Sequence, residues 1–184
     1  SASEPQGVFL DALALQHARC GAADGWRDRG PIDGADARQL TSVAATTDES
    51  GTHWVALGDM DGLAIGTLDE SGAFEARAVE IATIPWATEP YAWGLTHDGT
   101  DLWLTFLADH EGRPALGRAP LNGDTFEPEA NPFFRPSETI THAQWVSDRD
   151  HELIVAEVAE TVRLYGRGPE VPGGDWAPLP SDLP

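Results

Sequence analysis

Three short acidic stretches, with the histidines and tyrosines near them, carry most of the chemistry open to this chain. Asp59 and Asp61, then Asp109, His110 and Glu111, then Glu157 and Glu160 recur at intervals close to 50 residues. A second series, Tyr91 and His142, stands 51 residues apart, with Glu89, Trp93 and Glu138 beside it. Carboxylates interleaved with aromatic rings suit a cation or a basic partner segment, because both group types attract positive charge. Asp59, Asp61, Asp109, His110, Glu157, Tyr91 and His142 are therefore the expected ligand- or partner-binding set. Metal and cofactor chemistry has no comparable signal. The sequence holds no Asp-x-Asp-x-Asp-Gly calcium loop, no His-Glu-x-x-His, no phosphate-cradling glycine loop and no haem Cys-x-x-Cys-His. No cofactor is expected, and calcium has no motif behind it. His17 and Cys20, three apart, fall on opposite faces of a strand and make poor joint ligands. Cys20 is the only cysteine, so it either bridges to another chain as an interchain disulfide or stays a buried free thiol.

The elements that must position these residues repeat. Thr52-His53-Trp54-Val55-Ala56-Leu57 matches Asp101-Leu102-Trp103-Leu104-Thr105-Phe106 and His151-Glu152-Leu153-Ile154-Val155-Ala156. Each run follows a turn signal and reads as a strand leaving a hairpin. Gly66, Gly117 and Gly166 mark a third strand at intervals of 51 and 49 residues. Phe74, Phe126 and Trp176 begin a fourth. First strands are expected over 40–46, 91–96 and 140–146, rich in small side chains such as Ser42, Ala44, Gly94 and Ala143. No segment has helical periodicity.

Four short strands in a unit of this length resemble a β-propeller blade. The sequence thus predicts an all-β chain of about three and a half four-stranded blades. The expected boundaries are 1–35 for the second half of a blade, then 36–84, 85–135 and 136–184. Val8 to Cys20 aligns with a third strand, and Ser1 to Gly7 reads as the loop before it. Residues 177–184 are too proline-rich for a central strand and are expected to finish an outer edge. Two turns add detail. Thr67-Leu68-Asp69-Glu70-Ser71-Gly72-Ala73-Phe74 and Ala119-Pro120-Leu121-Asn122-Gly123-Asp124-Thr125-Phe126 resemble the Asp-box of sialidase-type propellers. In that family the box is a folding staple, so the resemblance implies architecture and not sialidase activity. His97-Asp98-Gly99-Thr100-Asp101-Leu102-Trp103 is similar to the TolB-type repeat, whose propellers are generally periplasmic interaction modules.

Composition narrows the function classes. A hydrophobic share of 41% supports a core at 184 residues, and no apolar stretch is long enough to span a bilayer. The net charge of −20 argues against nucleic acid, which demands a basic surface. Propeller register gathers the second-to-third-strand loops and the fourth-to-first-strand connections at one face. The leading expectation is a non-catalytic extracytoplasmic subunit that binds a protein partner or ligand. A second polypeptide, or an N-terminal fragment cut from the same precursor, is expected to complete its ring. The alternative is the C-terminal portion of a propeller hydrolase acting on glycans or peptides.

Overall fold

The computed structural model describes residues 6–11, 14–21, 25–31, 40–59, 62–69, 71–147, 152–167 and 176–179; for the first three segments and for Asp59 it describes backbone pairing. Every regular element among them is a strand. The chain divides into two compact units, Ser1–Val79 and Glu80–Pro184.

The first unit holds two antiparallel sheets. One is a three-stranded meander of β1 (Gln6–Asp11), β2 (Ala14–Gly21) and β3 (Gly25–Pro31). This corrects the expectation of a single strand from Val8 to Cys20 after a loop ending at Gly7. Leu10 pairs with Leu15 and Gln6 with Arg19, so the chain reverses within that stretch. The other sheet runs β4 (Leu40–Thr47), β5 (His53–Asp59), β6 (Leu63–Leu68) and β7 (Phe74–Arg77). Alternation along β5 and β6 turns Val55, Leu57 and Leu68 into one small core, closed by Leu40, Val43 and Phe74. Gly66 is required there: a Cβ would lie 2.6 Å from the Phe74 ring and 2.3 Å from the Glu75 carbonyl oxygen.

The second unit repeats the meander twice. Strands β9 (Tyr91–His97), β10 (Leu102–His110), β11 (Arg113–Asn122) and β12 (Thr125–Phe126) form one sheet. An extra strand, β8 (Glu80–Ile81), runs parallel to β12 on its outer edge. Strands β13 (Ile140–Ser147), β14 (Glu152–Val158), β15 (Thr161–Arg167) and β16 (Ala177–Pro178) form the next sheet. As expected, the start of the proline-rich stretch, Ala177–Pro178, closes an outer edge. The two sheets share a core of Leu107, Leu116, Phe134, Trp145, Ile154, Val158 and Tyr165. Burying each aliphatic member stabilises the unit by about 2 kcal/mol. Thr96 joins the innermost strands, its hydroxyl donating to the Trp145 carbonyl at 2.6 Å.

Arg118 is the polar centre of this core. Its guanidinium lies 4.5, 3.8 and 4.9 Å from the ring centroids of Trp103, Phe133 and Trp145. Its Nε and Nη1 donate to Glu129 at 2.9 Å and Glu152 at 3.3 Å, so the charge is paired as well as caged. The sheet β13–β16 is buried on this side only. On the other side Val146 and Val162 stay 46% and 67% exposed, whereas both faces of β10 are buried.

One irregularity recurs. The innermost strands β4, β9 and β13 each carry a bulge near their start, between Leu40 and Ser42, between Tyr91 and Gly94, and between Ile140 and His142. In β9 the backbone of Ala92 turns to a φ of 52°, a left-handed conformation that a bulge can impose on alanine.

Candidate functional site

Two ends of the blades have opposite chemistry. At the first-to-second-strand turns, an aspartate is consumed by its own loop. Asp48 Oδ1 accepts the N–H groups of Ser50 and Thr52, both at 2.9 Å, and the Ser50 hydroxyl at 2.6 Å. Its Oδ2 accepts the Trp54 indole N–H at 3.0 Å. Asp98 repeats the pattern: Oδ1 takes the N–H groups of Thr100 and Asp101 at 2.9 Å, and Oδ2 the Trp103 indole at 2.8 Å. Burial pushes both carboxyls up, but these donors outweigh it and hold them below the ordinary 3.8. Asp69, in the Asp-box-like turn, accepts Ser71 Oγ at 2.6 Å and the N–H groups of Ser71 and Ala73 at 2.8 and 3.0 Å. The bond from Ser71 Oγ leads the causes that depress its carboxyl. In the corresponding 119–126 turn Leu121 replaces the aspartate, and Gly123 makes the turn at a φ of 63°.

At the opposite end of the β8–β12 sheet the carboxylates face a cavity instead. The β8–β9 connection and the β10–β11 hairpin enclose a cavity of about 600 Å³ lined by Ile84, Trp86, Glu89, Tyr91, Asp109 and Glu111, among others. Trp86 is its fixed wall. The indole stacks on Phe106 with centroids 5.8 Å apart, meets His110 edge-on at 5.7 Å, and donates Nε1–H to the Glu129 carbonyl at 3.2 Å. Gly117 makes room behind it, because a Cβ would come within 2.6 Å of both the Phe106 and the Trp86 rings. Tyr91, 43% exposed, enters at the β9 bulge. Burial and then the nearby charge of Asp109 push its phenol up.

Two of the three lining carboxylates, Glu111 and Asp109, accept hydrogen bonds and differ in what remains available. Glu111 Oε2 accepts Arg135 Nη2–H at 2.7 Å, and this bond leads the causes that depress its carboxyl. It stays an anion. Asp109 Oδ1 accepts the Gly112 N–H at 2.9 Å, which closes the hairpin while Glu111 and Gly112 take φ of 55° and 81°. His110 Nδ1 is buried without a hydrogen bond, 4.0 Å from Glu111 Oε2 and beyond bonding reach.

The residues expected from sequence are thus divided. Tyr91 and Asp109 line the cavity, and His110 stands behind it against Trp86. His142 and Glu157 face each other across β13 and β14, with Nδ1 3.3 Å from Oε2, but His142 is 79% exposed and neither lines the cavity. Asp59 ends β5 in the other unit, and Asp61 lies outside the described residues. Cys20 pairs through its backbone with Trp26, and its side chain is likewise outside the description. Trp86 was not anticipated. The aromatic between Pro85 and Pro90 was the available signal, in a connection too rigid to be a featureless linker. Among the described residues no three His, Cys, Asp or Glu side chains are grouped to hold a metal ion. No helix among them is long and apolar enough to cross a membrane.

No protein-family model matches the chain, and no curated protein matches its sequence. Solved structures do. The chain is similar to an exo-1,5-alpha-L-arabinanase from a bovine ruminal metagenomic library, at 15% identity and a TM-score of 0.54, over 90% of this chain and 68% of that one. It is also similar to a glycosyl hydrolase from Bacteroides ovatus, at 15% identity and a TM-score of 0.58, over 91% of this chain and 60% of that one. The fold is a β-propeller. Its four-stranded meanders are the blades, and the cavity sits where a fourth-to-first-strand connection meets a second-to-third-strand hairpin.

Proposed function

We propose that this chain is the glycan-contacting portion of a propeller glycoside hydrolase, with the Trp86–Tyr91 cavity as the place where sugar is held. The observation that carries this is the cavity's lining, in which two aromatic rings stand beside three carboxylates in about 600 Å³. Sugar-sized ligands need a concave, largely apolar surface with a few polar groups to orient them, and amphipathic rings supply both. Glycoside hydrolysis needs two carboxyl groups flanking the bond, one protonated and one not. Glu111 is held ionised by Arg135, which leaves Glu89 and Asp109 for acid–base work. One similar structure is named an exo-1,5-alpha-L-arabinanase and the other a glycosyl hydrolase, and both support the same direction. An extracytoplasmic location goes with this role.

Incubation with a panel of oligosaccharides, arabino-oligosaccharides first, is expected to release shorter products. Glu89→Gln and Asp109→Asn are expected to abolish release while leaving the far-ultraviolet spectrum intact. Turnover undiminished in both variants would remove the cavity from the mechanism. A second reading, the non-catalytic subunit completed by another polypeptide, is favoured by the exposed Val146 and Val162 on the outer face of β13–β16. Its partner would be a further blade-like sheet. If the purified chain co-elutes with such a polypeptide, and Val162→Glu releases it, that reading gains over hydrolysis.

A further inference from the structure

The charge of the cavity lining is one-sided. Glu89, Asp109 and Glu111 line it and no arginine or histidine does. Arg135 is bonded to Glu111, and Arg113 Nη1 donates to the Ser137 carbonyl at 3.1 Å, so among the described residues no cation pairs with Glu89 or Asp109. An acidic sugar would therefore meet the unbalanced charges of Glu89 and Asp109, which costs affinity by like-charge repulsion. A metal ion would need carboxylates converging on a point, and among the described residues no such group of three exists. These carboxylates are instead spread around a wall of aromatic rings. That arrangement fits an extended organic ligand with positive charge on it, since an ammonium can pair with a carboxylate and lie over the Trp86 or Tyr91 face.

Building on the glycan-site assignment, we infer that the Trp86–Tyr91 cavity selects amine-bearing sugars, that is, glycans with free, protonated amino groups, over their neutral and acidic counterparts. Asp109 and Glu89 are the discriminating groups. Asp109 keeps one carboxylate oxygen outside the Gly112 bond, and Glu89 sits on the exposed β8–β9 connection. The net charge of −20 draws cations towards the whole molecule, but it cannot choose among sites, so the preference must fall with these two side chains and not with the total charge.

The test is calorimetric titration, in mildly acidic buffer at low salt, with four oligosaccharides of equal length: glucosamine, N-acetylglucosamine, arabinose and galacturonic acid. Glucosamine is expected to bind at least about tenfold tighter than its N-acetylated twin, with galacturonic acid weakest. Glu89→Gln combined with Asp109→Asn should erase that preference, and high salt should reduce it. Glu75→Gln combined with Asp124→Asn, which removes the same charge from exposed positions elsewhere, should leave it intact. Equal or tighter binding of the N-acetylated, neutral or acidic oligosaccharide overturns the inference while the glycan assignment stands. Preference that survives the cavity variant, or that is lost equally in the control variant, also overturns it. Absence of binding by all four sinks both the inference and the glycan assignment.

Discussion

Asp98 and Asp109 are eleven residues apart, on turns at opposite ends of β10, and they have opposite fates. Asp98 is surrounded by its own loop, with two backbone N–H groups and an indole N–H filling its oxygens. Asp109 meets one backbone N–H and then a cavity. The difference lies in the donors. A turn that aims several N–H groups inward turns a carboxylate into a structural staple, whereas a tight two-residue hairpin spends one oxygen and leaves the other for a ligand. The same residue type is thereby architecture at one end of a blade and available chemistry at the other.

The comparison can be broken most severely through Arg118, which the stapled Trp103 helps to cage. Arg118→Met leaves Glu129 without its cation and Glu152 with Arg167 alone, 3.7 Å away, and is expected to cost about 2–4 kcal/mol in chemical denaturation. Asp98→Ala strands two N–H groups and the indole, and should cost about 1–3 kcal/mol while oligosaccharide affinity stays within twofold. If that affinity collapses with stability, the two ends are not independent. Gly117→Ala places a methyl against Phe106 and Trp86 and should cost about 1–3 kcal/mol. Unlike Asp98→Ala, it should also shift tryptophan fluorescence and weaken sugar binding.

Acid titration sharpens the same contrast. Because Asp48 and Asp98 titrate below 3.8 in the folded chain, their contribution is complete above that value and is lost as pH falls through their lowered values. Melting temperature should therefore fall less steeply in that window for Asp98→Asn than for the unaltered chain. The smallest effect expected is spectroscopic. Asp109→Asn removes a negative neighbour and should lower the raised titration midpoint of Tyr91, seen in the phenolate absorbance. An unmoved midpoint would mean that Asp109 does not act on the cavity's tyrosine.

Much of the blade pattern was legible because turn residues and β-branched runs are local. Leu40–Thr47, Tyr91–His97 and Ile140–Ser147 start where the repeat places them, and the third-strand glycines sit under rings or a leucine as a crowded sheet requires. The hairpin between β1 and β2 was missed since no glycine or asparagine marks residues 11–14. Strand β8 was missed because its parallel pairing with β12 is made across some 45 residues and leaves no periodic trace. In the site, Tyr91 and Asp109 followed from register. Trp86 did not, for it stands in a proline-flanked connection outside the strands that define the repeat.

The bulges at the heads of β4, β9 and β13 give these three blades one residue each that the hydrogen-bonded ladder does not count. A strand can gain or lose length at that point without turning its buried face outward, which is otherwise the penalty for a one-residue slip. The spacing between equivalent residues drifts between 49 and 51 while the core registers hold. Such a joint lets the lining of a binding mouth be rewritten by insertion and deletion, with the sheets beneath it left as they were.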